Sequence, residues 1–102
     1  MQIIKKLSEM ISEEIEDAEK YAKCALKHKE SDPDLAQLFY TLSTEEMTHM
    51  ERLHKAAARL IADYRSQRGE PPVAMQAVYD YIHEKNIEHA GEVAALQAQY
   101  RK

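Results

Sequence analysis

Phe39-Tyr40-Thr41-Leu42-Ser43-Thr44-Glu45-Glu46-Met47-Thr48-His49-Met50-Glu51-Arg52-Leu53 sets a Glu-x-x-His step, Glu46 to His49, inside a long helical pattern. Phe39, Leu42, Glu46, His49, Leu53, Ala56 and Leu60 recur at alternate spacings of three and four. Such spacing defines one seam along a helix, and here the seam is expected to face a core. Two ionisable side chains on an apolar seam cost free energy unless they are paired or bind a metal. With thirteen Glu and five His in 102 residues, about 0.6 such steps arise by chance, so the step needs context. Glu51-x-x-His54 is a second copy, displaced by five residues and rotated off the seam, and reads as a solvated pair.

The surrounding chain is punctuated at two places. At Ser31-Asp32-Pro33-Asp34, Asp32 suits a helix N-cap and Pro33 the first helical position. Gly69-Glu70-Pro71-Pro72 reads as a helix stop and a new start. These breaks predict three helices over about 2–29, 33–67 and 72–100, with no strand-like alternation anywhere. The expected class is all-α: an antiparallel hairpin followed by a third helix, in one domain spanning 1–102. Composition agrees, with 44% hydrophobic and 31% charged residues, two Gly and three Pro.

Composition also excludes several functions. A net charge of −4 and the lack of a basic cluster with interleaved aromatics argue against nucleic acid as partner. No apolar run is long enough for a membrane span, and Met1–Leu7 lacks the apolar core of a signal peptide. Cys24 is the single cysteine, which fits a reducing cytoplasm and reads as a small half-buried residue.

The first helix has its own seam: Ile4, Leu7, Ile11, Glu14, Ala18, Tyr21 and Ala25. Glu14 is its only charged member. Ile15 and Ala22 widen the stripe, which leaves Glu14 either central or at an edge. Glu13, Glu16 and Glu19 look outward-facing, although Glu13 and Glu16 compete with Glu14 as ligand. Counting from the turn, Glu14 lies about 24 Å back along one helix and Glu46 about 21 Å along the other. The hairpin therefore brings Glu14, Glu46 and His49 to nearly the same height. Carboxylates with an imidazole suit iron or manganese, and zinc also fits. The competing reading is a buried Glu–His–Tyr hydrogen-bond network.

A di-iron site in a four-helix bundle takes one Glu from each of two helices and Glu-x-x-His from each of the other two. One chain supplies half of that set, so a homodimer or a higher multiple is expected to complete it. Glu46 would then bridge, His49 would be a terminal nitrogen ligand, and Glu14 a terminal or bridging carboxylate.

These residues resemble the ferritin-like superfamily. Glu45-Glu46-Met47-Thr48-His49-Met50-Glu51-Arg52-Leu53 is similar to the second-helix metal motif of ferritins and rubrerythrins. Glu14 with Tyr21 seven residues on is similar to the first-helix ligand and its tyrosine. Glu13-Glu14-Ile15-Glu16 and the stretch from Asp32 to His49 look most like the short encapsulated ferritins, with the rubrerythrin type second. The likeness covers roughly residues 10–60, and the third helix has no clear counterpart in the short relatives. It implies dimerisation into a four-helix bundle, a di-iron cofactor, and oxidation of Fe(II) by O2 or peroxide. Tyr21 would be a proton or electron relay, or else a core aromatic bonded to a carboxylate. An encapsulin shell is a partner of those relatives, but Ala98-Gln99-Tyr100-Arg101-Lys102 lacks a clear targeting pattern. Lys20 stands where they carry an indole. The rival function is a non-catalytic helical dimer or adaptor with a structural or vestigial metal site.

On the third helix, Met75, Tyr79, Ile82, Asn86, His89, Val93, Leu96 and Tyr100 keep the three–four spacing. His89 there reads as a hydrogen-bonded packing residue, with Glu88 and Glu92 turned away. His83 and Glu84 read as surface groups.

Overall fold

Asp32 begins the longest element of the protein by accepting a hydrogen bond from the Leu35 amide at 3.2 Å, ahead of Pro33. The computed structural model describes residues 2–102 and contains α1 (Gln2–His28), α2 (Pro33–Arg68) and α3 (Val73–Arg101). No strand occurs among the described residues. The protein is all-α, with helix limits within a residue or so of the sequence punctuation. At the second break Gly69 takes φ 81°, the left-handed region where a Cβ is disfavoured, and its amide reaches Arg65 O at 3.0 Å.

α1 and α2 form a closely packed antiparallel hairpin. The close approach follows from small side chains: Ala18, Ala22 and Ala25 on α1, and Ala36 and Ser43 on α2, are 0–1% exposed. Ser43 lies at the crossing of all three helices. Its hydroxyl donates to Ala18 O at 2.7 Å and accepts from Gln97 Nε2 at 2.9 Å. α3 returns along the whole hairpin, its backbone close to α1 and farther from α2, which it reaches through side chains. The molecule is a rod of 55 × 19 × 18 Å. Arg65–Gln76 (3.2 Å) ties α3 down at one end, and Tyr100–Gln37 (3.2 Å) and Arg101–Tyr40 (2.8 Å) at the other.

The third-helix seam faces inward as the spacing predicts, from half-buried Met75 to fully buried Val93. The first-helix seam is rotated. Ile15 and Ala22 are its fully buried centre, and Glu14 and Tyr21 sit half-buried at its edge. The second-helix seam is the clearer departure. Its members are half-buried and His49 is exposed, whereas the fully buried α2 positions are Ala36, Ser43 and Ala57. The reason is geometric: α3 packs on another side of the hairpin, so among the described residues it is α1 alone that borders Phe39, Glu46 and His49, and it covers them only in part.

Candidate metal centre

α1 and α2 bring Glu14, Glu46 and His49 together. His49 Nδ1 stands 3.6 Å from Glu14 Oε2 and 3.6 Å from Glu46 Oε1. One donor atom from each of the three lies within 4.8 Å of the others. The i,i+3 spacing stacks Glu46 and His49 on one face of α2. The Ala-lined contact brings α1 near enough for Glu14 to join them.

The electrostatics of the cluster suit a cation. Glu46 holds its proton far above the ordinary 4.5, pushed up to about 7. The main cause is a hydrogen bond shared with Glu14, followed by burial and by the Glu14 charge; His49 opposes the shift and Asp17 adds to it. Glu14 Oε2 is buried and accepts no hydrogen bond. A desolvated acceptor of that kind costs about 1–3 kcal/mol, which a bound cation would offset. The donor set and the orphaned oxygen both fit a first-row transition metal.

Tyr21 is two turns along α1 from Glu14. Its ring stacks on Phe39, with centroids 6.3 Å apart. No hydrogen bond joins its hydroxyl to Glu14, Glu46 or His49. Glu13 and Glu16 are exposed, away from the cluster. His54 is also exposed and stacks on His83, with centroids 5.2 Å apart.

A second group sits on the opposite flank of α1. Glu19 is half-buried, not outward-facing, because α3 lies beside it. His89 Nε2 and Glu19 Oε2 are 3.0 Å apart. Burial raises the Glu19 pKa, but the hydrogen bond to His89 together with Lys23 outweighs it and lowers the net value. Glu92 has a carboxylate oxygen within 4.8 Å of this pair and is not turned away from His89. Periodicity misses these contacts, since Glu19 and His89 are seventy residues apart and meet only once the path of α3 is known. Asn86, on the same seam, accepts from Ser12 Oγ at 2.9 Å.

An all-α chain with a Glu–Glu–His cluster between two antiparallel helices defines the class, the ferritin-like di-iron superfamily. The chain belongs to the rubrerythrin family, whose model, described as Rubrerythrin, matches residues 5–102. That match reaches through α3, well past residue 60, and so favours the rubrerythrin type over the shorter relatives. Members of the family typically bind iron. Comparison with curated proteins and with solved structures finds no match. No helix among the described residues is long and apolar enough to cross a membrane.

Proposed function

We propose that two copies of the chain pair across the open face of α1 and α2, and that their Glu14, Glu46 and His49 side chains hold a di-iron centre that oxidises Fe(II) with O2 or peroxide. The observation that carries this reading is Glu14 Oε2, buried without a hydrogen-bond donor and 3.6 Å from His49 Nδ1. When bound, iron supplies the redox chemistry, passing electrons from Fe(II) to the oxidant. The protein's share is to present and neutralise charge. Glu46, after giving the proton it shares with Glu14 to solvent, would hold the iron together with the Glu14 carboxylate and the His49 imidazole nitrogen. Phe39, Leu42 and Leu53, half-buried around the cluster, exclude water once a partner covers them. Tyr21, held against Phe39, is the nearest phenol on α1 and relays a proton or an electron.

Anaerobic addition of Fe(II), followed by oxygen, tests the proposal through absorbance and oxygen uptake. The expected result is about one iron per chain and oxygen consumption that Glu46→Ala or His49→Ala abolishes. Tyr21→Phe should bind iron normally and slow turnover. Iron binding without oxygen uptake would instead assign a metal site without turnover. No binding at all would overturn both readings.

A further inference from the structure

α1 carries a carboxylate toward each of its neighbours. Glu14 meets α2, while Glu19, five residues on and about 140° around the helix, meets α3. We propose that Glu19, His89 and Glu92 form a second metal site, separate from Glu14, Glu46 and His49, which takes one Zn(II)-like divalent ion and pins α3 to α1.

Three observations carry it. The donor set is two carboxylates and one imidazole, supplied by two helices, with one donor atom of each within 4.8 Å of the others. Three protein ligands with water in a fourth position suit Zn(II), which has no electronic preference for geometry and tolerates donors placed by helix packing. Second, two of the three ligands are already held in place, while Glu92 is exposed. Glu19 and His89 side chains are 27% and 26% exposed, and their 3.0 Å contact fixes the imidazole against α1. Lys23 Nζ sits 3.5 Å from Glu19 Oε1, the other oxygen, so the ammonium leaves Oε2 facing His89. Third, Glu92 makes no hydrogen bond or ion pair with any described residue, yet it stands beside another carboxylate. Two like charges this close repel, and a divalent ion between them turns that repulsion into attraction.

The position gives the ion a purpose. α3 packs closely only on α1, and the hydrogen bonds that tie it to α2 through Gln76, Gln97, Tyr100 and Arg101 lie toward its two ends. His89 and Glu92 lie one turn apart near the middle of the α1–α3 contact, where one ion would fix helix register.

The test uses the chain carrying Glu46→Ala and His49→Ala, which removes the first site. Titration with Zn(II) by calorimetry, and with Co(II) by visible absorption, should show about one ion per chain with a tetrahedral Co(II) spectrum. Zn(II) should raise its Tm and slow amide exchange in α3. Adding Glu92→Gln should weaken binding at least tenfold without lowering the metal-free Tm, because it breaks no contact and removes the repulsion from Glu19. His89→Ala should abolish binding, and Lys23→Ala should tighten it several-fold. Where the double variant is too unstable to titrate, Co(II) stoichiometry in the otherwise unaltered chain gives the same answer. It should fall from two ions per chain to one on Glu92→Gln. No ion bound by the double variant, or binding indifferent to both Glu92→Gln and His89→Ala, would overturn the second site. Neither result touches the first, whose loss follows Glu46 and His49 alone.

Discussion

Glu46 keeps its proton up to about pH 7 because Glu14 shares a hydrogen bond with it, and that has a cost in the metal-free chain. A carboxyl with a folded-state pKa above its ordinary 4.5 binds more protons folded than unfolded between those two values. Its favourable contribution is complete below the unfolded value and is lost as pH rises through about 7. Glu46→Gln keeps a hydrogen-bonding amide and removes the titration. The metal-free variant should therefore melt above the parent chain at pH 8 and equal to it near pH 4, by circular dichroism at both pH values. Glu19 has the opposite sign: its lowered pKa stabilises above the ordinary carboxyl range and is lost as pH falls through the folded value. Ser43 is the other residue with large leverage, since it is 0% exposed and bonded to both neighbouring helices. Ser43→Ala leaves Gln97 Nε2 without that acceptor and should cost about 1–2 kcal/mol in urea unfolding. A change below a few tenths would show that water replaces the hydroxyl.

At the level of the helix, α3 carries the one interior glycine. A Cβ built on Gly91 meets nothing within 4 Å, and the residue is exposed. Gly91→Ala should stabilise the chain by about 0.5–1 kcal/mol, read as a higher urea midpoint at unchanged slope. A loss instead would place another molecule against that face. The helices themselves are legible in the sequence, because Asp32-Pro33 and Gly69-Glu70-Pro71-Pro72 each act through local backbone chemistry. The Glu14, Glu46 and His49 juxtaposition is legible for a related reason: a short link, four residues from 29 to 32, forces the hairpin antiparallel, and helical rise sets heights. What periodicity does not give is the neighbour of each face. Ile15 rather than Glu14 is the buried centre of α1 because α1 packs on both other helices, and Ile15 falls in the cluster where Val93 of α3 meets Met47 and Met50 of α2. Glu19 and Glu92 were missed on the same account, since a solvated face and an interhelical one have the same period.

For the molecule as a whole, the core is thin. Among the described residues ten hydrophobic ones are buried, and five of them are alanines: Ala18, Ala22, Ala25, Ala36 and Ala57. Larger side chains, Phe39, Leu42 and Leu53 among them, stay half-covered on the face that holds Glu46 and His49. One chain offers three donors there, half of a di-iron ligand set. Both facts have one remedy, a two-fold pairing that covers the face and doubles the ligands. Stable pairing needs about 800 Å² from each partner, which the 55 Å length of the rod can supply. Met10, one turn before Glu14 and 37% exposed, gives a clean probe. Met10→Glu places a charge on the face without emptying the core. Light scattering should give twice the 11.8 kDa chain mass, or a multiple of it, for the parent protein. The variant should be monomeric, keep its helical circular dichroism, and lose both tight iron binding and oxygen uptake. A parent chain that stays monomeric while holding two irons at Glu14, Glu46 and His49 would show that the centre needs no second copy. Because pairing links stability to concentration, the parent Tm should also rise with protein concentration, and that of Met10→Glu should not.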